Sequence, residues 1–346
     1  IETALRSGQH LTREALIAEL QKANIATDNN RASHIFSRAE LDGVLCSGAV
    51  KGKKQTYALL EEWVPKTSPL TKEEALELIR NGDLIELGKM ASARKKELHP
   101  KGITTFIVDR NINYTNVCWV DCKFCAFYRH AKEDDAYVLS HEEIDQKIDE
   151  LVAIGGTQIL FQGGVHPKLK IDFYEDLVGH IHEKYPQITI HAFSAIEIDF
   201  IAKISKISIK EVLERLKAKG LSSIPGAGAE ILSDRVRDII APKKHDSSVW
   251  IEVHRQAHKL GIMSTATMMF GTVETDEEII EHWDLVRQLQ DETGGFQTFI
   301  PLAFHPKYTK FAHLPWPDMA TKLKCVAISR LMLDNVPHVK AYWVML

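Results

Sequence analysis

From residue 104 onward, the sequence alternates between short β-rich runs and longer stretches with the periodicity of amphipathic helices. Strict alternation of this kind favours parallel pairing of the strands, and its repetition favours a β/α (TIM-like) barrel. At 346 residues, the chain is long enough for one large barrel with a small appendage. The predicted strands lie at 104–113, 157–162, 189–193, 221–224, 264–270, 298–303 and 339–344.

The amino-terminal part of the sequence has a different pattern. Two helical segments, 11–20 and 32–45, precede a basic turn at 48–52, and a short aliphatic run follows that turn. This order indicates helices followed by a β-wing, and the proline-containing stretch after it is typical of a linker. We therefore expect a winged-helix-like segment (1–65), a linker with a helical lead-in (66–103) and the barrel (104–346).

Positive and negative charges nearly balance, with 43 Lys and Arg against 47 Asp and Glu, which gives a formal net charge of -4. The chain therefore has no global field that would recruit nucleic acid or an anionic membrane. The sequence contains no run of about 18 apolar residues and no pattern of a secretory signal. We expect a cytoplasmic protein with no membrane partner.

Three of the cysteines crowd into the segment NVCWVDCKFCAFYR (116–129). Cys118, Cys122 and Cys125 have the spacing CxxxCxxC and follow the first predicted strand, where a β/α barrel carries its functional loops. Three thiolates that bind three corners of a [4Fe-4S] cluster leave its fourth iron open. That iron can chelate the amino and carboxylate groups of S-adenosylmethionine (SAM), and one-electron transfer then releases a 5'-deoxyadenosyl radical.

The number and type of available ligands distinguish this cluster from other possible metal sites. Structural zinc takes four protein ligands, so a zinc site in the loop would need His130 to complete the set. The isolated cysteines, Cys46 and Cys325, are expected to be small buried residues. His254 and His258 are spaced i and i+4 but have no HExxH motif, so we expect them on a solvated helix surface.

The cysteine motif and its position resemble the radical SAM superfamily. The resemblance implies that Phe124, directly before the last cysteine, packs near the adenine of SAM. It implies that Gly163 and Gly164, after the second strand, let the backbone approach the SAM amino group, although a Gly pair is also typical of an ordinary turn. Ser194 and Glu197 follow the third strand, where the ribose hydroxyls of SAM lie in this superfamily.

Several long stretches resemble the futalosine-pathway branch of menaquinone biosynthesis, in particular the cyclic dehypoxanthinyl futalosine synthases, and also the synthases of the deazaflavin FO. The similarity covers residues 70–295 and implies a radical on the substrate ribose that attacks the benzoate ring and closes a spirocycle. The matching stretches are VDRNINYTNVC (108–118), GGTQILFQGGVHP (155–167), SIPGAGAEILSDRVR (223–237) and ATMMFGTVETDEEIIEHW (266–283).

The last part of the chain, 296–346, is more similar to aminofutalosine synthases, whose radical adds to an enolpyruvyl ether. The change of resemblance leaves both substrates open, because the sixth strand helps to line the pocket. The family continues through an eighth unit, whereas the sequence stops at Leu346, so the barrel is expected to be truncated at its C-terminal end, which would leave a strand edge unpaired.

The amino-terminal segment 1–65 is similar to part of the winged-helix DNA-binding proteins related to crosslink-repair glycosylases, through HIFSRAELDGVLCSGAVKGKKQTYALLEEWVP. Lys51, Lys53 and Lys54 would lie on the wing, where they can meet phosphates. Because the resemblance covers only a piece of that family, we expect this segment to be inert.

Further polar residues lie where strands end. Glu230 and Arg235 follow the fourth strand and can pair with SAM or a substrate carboxylate, or equally cap the following helix. His166 can carry a proton or be a plain loop residue, and His305 can be structural because it precedes a proline. The residues predicted to contact substrate are His166, Thr267, Met269 and His305.

The sequence therefore predicts a cytoplasmic radical SAM cyclase of the futalosine pathway, with a [4Fe-4S] cluster and SAM as cofactors. Its expected partners are a small-molecule substrate, either a futalosine-derived nucleoside or a benzoate, and a one-electron reductant such as flavodoxin or ferredoxin. Aminofutalosine synthase is the alternative enzyme. A DNA-binding winged-helix module with a degenerate barrel is the alternative of another class, although we do not expect nucleic acid to be a partner.

Overall fold

The structure is a computed structural model, and it describes residues 1–28, 30–41, 44–59, 70–244 and 246–342. The chain divides into two compact units, Ile1–Ile103 and Thr104–Leu346. The predicted linker around residues 65–69, and with it the predicted boundary between 65 and 66, lies outside the described residues. Among the described helices, none is both long and apolar enough to cross a membrane.

In the first unit, helices over the two predicted helical segments precede a pair of antiparallel strands, as the sequence predicts. Three strands form an antiparallel sheet in the order β1-β3-β2, and Leu16, Leu20 and Phe36 of the helices pack into the core with Leu45 and Leu59 of the sheet. The elements of this unit are α1 (Glu2–Leu5), β1 (Leu11–Thr12), α2 (Arg13–Lys22), α3 (Arg31–Leu41), β2 (Leu45–Lys51), β3 (Lys54–Leu59), α4 (Lys72–Asn81) and α5 (Leu84–Leu98).

The second unit alternates strands and helices as the sequence predicts. Serine and threonine residues begin several of its helices because their hydroxyls accept hydrogen bonds from the first turn, as Ser140 and Thr275 do in capping boxes. Its elements are β4 (Asp109–Asn113), α6 (His141–Ala153), β5 (Gln158–Gln162), α7 (Ile171–Lys184), β6 (Thr189–Ala192), α8 (Ala195–Ser205), α9 (Ile209–Ala218), β7 (Ser223–Ile224), α10 (Asp234–Ile240), α11 (Ser247–Lys259), β8 (Met263–Phe270), α12 (Asp276–Thr293), β9 (Phe296–Ala303), α13 (Met319–Met332) and β10 (His338–Val339).

The seven described strands of this unit form one parallel sheet in sequence order, from β4 to β10. Among the described strands, β4 and β10 stand at its two edges, so the sheet is a partial barrel, as predicted. The first strand is shorter than predicted because its pairing with β5 begins only at Asp109. The last one covers His338–Val339, and the end of the predicted strand, 343–346, lies outside the described residues.

Parallel strands of this sheet point their carboxyl ends to one side. The cysteine segment follows β4, the glycine pair follows β5, and Ser194 follows β6. Inward side chains such as Ile159 and Phe161 are fully buried beneath them. The fold therefore places the cysteine segment, the glycine pair and Ser194 on the same side of the sheet, at the carboxyl ends of its strands.

Candidate active site

The cysteines lie in the long loop between β4 and α6, and the backbone ties this loop to other loops of the barrel. The amide of Trp119 donates to the carbonyl of Val165 (3.2 Å), after β5, and the amide of Lys123 donates to the carbonyl of Ile240 (2.8 Å), at the end of α10. The amide of Lys310, after β9, donates to the carbonyl of Lys123 (2.9 Å). The position of the cysteine loop is thus set from three sides.

The three motif cysteines are free thiols, of which Cys122 is buried and Cys118 and Cys125 are partly exposed. They are close enough to influence one another electrostatically. Burial raises the pKa of Cys118, and it raises the pKa of Cys122 to about 12 against the opposing charge of Lys244. Metal binding at these thiols must therefore displace protons.

The donor set of the loop can be tested against the metals that the sequence allows. Within the described residues, no three His, Cys, Asp or Glu side chains converge closely enough to hold a single metal ion. His130 is therefore in no such group within the part of the chain that the structure describes. A cubane cluster distributes its ligands over separate irons, and soft thiolates are the ligands that it prefers. Cys118, Cys122 and Cys125 fit a [4Fe-4S] cluster with one open iron.

The glycine pair after β5 packs directly against the cysteine loop. A Cβ atom added to Gly164 would lie 2.2 Å from the carbonyl oxygen of Val117 and 3.0 Å from Cβ of Cys118. A Cβ atom on Gly163 would lie 2.6 Å from the ring of Tyr114. Only glycine fits at either position, because real side chains do not approach neighbouring atoms so closely.

Ser194 and Glu197 form a buried polar network beneath the glycine pair. Oε2 of Glu197 accepts hydrogen bonds from the amide (2.7 Å) and the hydroxyl (2.5 Å) of Ser194. Its Oε1 atom accepts from the hydroxyl of Tyr114 (2.6 Å) and from the amide of Gly163 (3.1 Å). The predicted contact of Ser194 and Glu197 with the ribose of SAM stays a prediction. A ribose hydroxyl that binds Glu197 would have to donate to an oxygen that already accepts two hydrogen bonds.

Glu230 lies in a buried ion pair next to the cysteine loop. Its Oε1 atom is 2.6 Å from Nζ of Lys244, and that Nζ atom lies 5.3 Å from the ring centroid of Phe124. Arg237 is also buried, and its guanidinium lies 3.8 Å from Oε2 of Glu230 while donating to the Ala229 carbonyl. Oε2 itself is buried without a hydrogen-bond partner. A buried, incompletely bonded carboxylate next to a cation can receive a zwitterionic ligand.

Comparison with known proteins identifies the family of this chain. The profile of the Radical SAM superfamily matches residues 112–286, a segment that contains the cysteine loop, the glycine pair and the Glu230 loop. The chain belongs to the radical SAM superfamily. Members of this family use a [4Fe-4S] cluster and SAM, so the predicted enzyme class and cofactors are confirmed.

Individual radical SAM relatives narrow the comparison further. The chain is 43% identical to the cyclic dehypoxanthine futalosine synthase of Streptomyces coelicolor, over 79% of this chain and 69% of the relative. It is 40% identical to the aminodeoxyfutalosine synthase of Thermus thermophilus, over 82% of this chain and 77% of the relative. The predicted resemblance to the futalosine-pathway branch is thereby confirmed.

A solved structure supports the fold. The crystal structure of HydG, a maturase of the [FeFe]-hydrogenase, superposes with a TM-score of 0.62 at 20% sequence identity. The match covers 78% of this chain, and the chain spans only 59% of that protein's length. This similarity confirms the predicted β/α barrel architecture.

Arg235 was predicted beside Glu230 as a partner of SAM or substrate. In the structure the guanidinium of Arg235 is bound to Glu278 of α12, with distances of 2.8 and 2.5 Å, and it is half exposed. Ser233, not the predicted pair, caps α10 by accepting from the amide of Val236. The cation within hydrogen-bond distance of Glu230 is Lys244, in the loop after α10, which the sequence analysis did not single out.

Two of the predicted substrate residues lie on β8, and the other two lie in the loops after β5 and β9. The hydroxyl of Thr267 donates to the Gly226 carbonyl (2.8 Å), and the amide of Met269 donates to the Glu230 carbonyl (3.0 Å), so β8 supports the Glu230 loop. His305 is exposed, with its ring centroid 4.5 Å from that of Trp316. His166 accepts at Nδ1 from the amide of Lys168 (3.1 Å), and burial lowers its pKa. Their contacts with substrate stay predictions.

The expectation that His254 and His258 lie on a solvated surface is wrong. His254 is completely buried and His258 is half-buried, and both hydrogen-bond to the hydroxyl of Ser264, at 3.0 and 2.7 Å. The face of α11 that carries them packs on the sheet at the start of β8, where Phe296 contacts both rings. The i, i+4 spacing indicated a shared face but not that this face is internal.

Proposed function

We propose that the chain is a radical SAM cyclase of menaquinone biosynthesis that converts dehypoxanthinyl futalosine to cyclic dehypoxanthinyl futalosine. The observation that carries this proposal is the 43% identity to the Streptomyces coelicolor enzyme of that name over 79% of the chain. We further propose Cys118, Cys122 and Cys125 as the ligands of the cluster, which is supported by their free thiols and their shared loop.

The residues around the cysteine loop have distinct roles in this proposal. Lys244 and Glu230 bind the carboxylate and ammonium groups of SAM, because they offer one cation and one partly unbonded carboxylate side by side. The ring of Phe124, next to Lys244, packs near the adenine. Gly163 and Gly164 let the backbone approach the amino group. When bound, the cluster and SAM supply the 5'-deoxyadenosyl radical.

In this proposal, residues of β8 and of the loops after β5 and β9 position the substrate. Thr267 and Met269 border the Glu230 loop, and His305 and His166 lie on the loops after β9 and β5. These groups hold one ribose hydrogen of the substrate against the SAM C5' atom and keep water out while the radical lasts. The proposal also includes a one-electron reductant such as a flavodoxin or a ferredoxin, and a cytoplasmic location, which the free thiols support.

The alternative enzyme is aminofutalosine synthase, which the 40% identity to the Thermus thermophilus relative supports. The two reactions differ in the fate of the adenosyl group. A cyclase releases free 5'-deoxyadenosine and a product that has lost two hydrogen atoms, whereas the synthase joins the adenosyl group to 3-[(1-carboxyvinyl)oxy]benzoate. Product analysis therefore separates them.

The test uses anaerobically reconstituted protein, a chemical reductant and SAM, with one candidate substrate in each reaction. We expect free 5'-deoxyadenosine and the cyclic product only with dehypoxanthinyl futalosine. A third reaction contains L-tyrosine and 5-amino-6-(D-ribitylamino)uracil, because a transferase named for these compounds in Methanothermobacter thermautotrophicus is 38% identical. Turnover confined to the benzoate or to the tyrosine reaction would overturn the cyclase assignment.

A further inference from the structure

The side chain of Glu197 is buried next to the glycine pair, and both of its oxygens are hydrogen-bonded. It is 2% exposed, and each of its two oxygens accepts two hydrogen bonds. The donors come from Tyr114 and Gly163, which directly follow β4 and β5, and from Ser194, which lies two positions after the end of β6. One side chain therefore joins the carboxyl ends of three consecutive strands.

Each oxygen of this side chain faces a backbone amide, which can only donate. Oε1 accepts from the amide of Gly163 and Oε2 from the amide of Ser194, whereas the hydroxyls of Tyr114 and Ser194 can donate or accept. Burial raises the pKa of Glu197, and the hydrogen bonds from Ser194 and Tyr114 oppose that shift. A buried side chain with four hydrogen bonds is held in one orientation, because each bond would have to break before the group could rotate.

The network determines how the glycine pair faces the cysteine loop. The amide of Gly163 points to Glu197, and the amide of Gly164 points to the carbonyl of Thr115 (2.8 Å). With both amides turned inward, Gly164 is pressed against Val117 and Cys118, where no Cβ atom fits. The Tyr114 ring closes the other side, against Gly163. Glu197 thus holds the amide of Gly163 directly, and the backbone of Thr115, next to Tyr114 of the same network, holds the amide of Gly164.

We infer that Glu197 is a positioning residue that holds Gly163 and Gly164 against Cys118 in the orientation that SAM binding requires, and that it does so without contacting SAM itself. The inference rests on the proposed position of SAM at the glycine pair, and it does not depend on which substrate is used. The predicted role of Glu197 as a direct ribose ligand is the competing interpretation, and a general structural role is the other.

Glu197→Gln tests the inference because glutamine keeps the shape of the side chain but turns an NH2 group toward donors. Asp199→Asn is the matched control: Asp199 lies on the same helix, is 6% exposed and pairs with Lys203 at 2.7 Å. Each variant is reconstituted anaerobically and its iron content is measured. The EPR spectrum of the reduced cluster is then titrated with SAM to obtain an affinity.

We expect Glu197→Gln to retain its iron and to lose SAM affinity by on the order of tenfold or more, the usual effect of removing a charged hydrogen-bond partner. Asp199→Asn should keep the affinity of the unaltered protein. Tyr114→Phe removes one donor, keeps the ring, and should weaken SAM binding by a few-fold.

Unchanged SAM affinity in Glu197→Gln and Tyr114→Phe would overturn the inference while leaving the proposed function intact. If Glu197→Gln does not fold, Tyr114→Phe decides alone, and full affinity in that variant overturns the inference. An equal loss in Asp199→Asn would show a general structural effect and also overturn it. No SAM-dependent change in the unaltered, iron-loaded protein would overturn the inference together with the proposed function.

Discussion

The Nζ atom of Lys244 lies 2.6 Å from Oε1 of Glu230, and the two residues form a buried ion pair beside the cysteine loop. Glu230 itself has a positive φ of 43°, a conformation that non-glycine residues rarely adopt. The backbone around it is held by Arg237, whose guanidinium donates to the carbonyls of Gly228 and Ala229. A strained, charged loop supported in this way is typical of a functional site.

Lys244→Met should destabilise the protein and weaken SAM binding, because it removes the closer of the two cations that pair with the buried Glu230 carboxylate. Breaking a buried pair from one side costs about 3 to 5 kcal/mol. Lys203→Met is the matched control, since Lys203 pairs with the buried Asp199 outside the site and its own side chain is 62% exposed. Urea unfolding and SAM titration measure both effects. SAM affinity that falls equally in the two variants would contradict a role for Lys244 at the site.

Cys122→Ser should abolish the brown 4Fe-4S chromophore and SAM cleavage, because a serine hydroxyl does not replace a thiolate at iron. Cys325→Ser is the control, since Cys325 is also buried but lies on α13, outside the loop. Its loss should leave absorbance and iron content unchanged. A Cys122→Ser protein that keeps its chromophore and its SAM cleavage would remove the basis of the cluster assignment.

Low pH should destabilise the second unit, because its buried histidines are harder to protonate in the folded protein than in the unfolded chain. Burial lowers the pKa of His254, and it lowers the pKa of His258 and of His191 to about 4. In the unfolded chain the pKa of histidine returns to about 6.5, so the unfolded chain binds more protons at intermediate pH. Stability is therefore full above about pH 6.5 and falls as the pH drops towards 4.

Urea unfolding of the metal-free protein at about pH 7.5 and about pH 5 measures this effect. We expect the free energy of unfolding to fall by on the order of 1 to 3 kcal/mol per buried histidine at the lower pH. His258→Gln keeps a polar partner for Ser264 and should reduce the pH dependence. A midpoint that does not change between the two pH values would contradict the assignment of neutral, buried histidines.

Removing the charges of the wing should leave the enzyme unaffected. Nζ of Lys51 donates to the carbonyl of His10 (2.7 Å), and Lys54 lies 3.7 Å from Glu14, so two of the three wing lysines have acceptors within their own unit. The triple variant of Lys51, Lys53 and Lys54 to alanine should cleave SAM at the unaltered rate. The matched binding assay is a salt titration with duplex DNA. Salt-sensitive duplex binding that the triple variant loses would instead favour a nucleic-acid module.

Periodicity predicted the barrel strands well because most of them are short and apolar and alternate with helices that have their own 3.6-residue repeat. It overestimated β4, because the residues before Asp109 have β-forming side chains but no paired strand beside them, and Phe106 is 89% exposed. Periodicity also failed for His254, since an amphipathic pattern identifies the faces of a helix but not the depth to which a polar face is covered.

The sequence by itself determined the radical SAM family, the β/α barrel architecture and the cysteine loop, because these depend on local spacing and on the alternation of short segments. Only the tertiary structure decided which groups meet at the strand ends. Tyr114 and Glu197 are 83 positions apart, and the cation that faces Glu230 is Lys244 and not the adjacent Arg235. Such contacts depend on which strands become neighbours and on how loops cross the edge of the sheet, and no local spacing in the sequence records either.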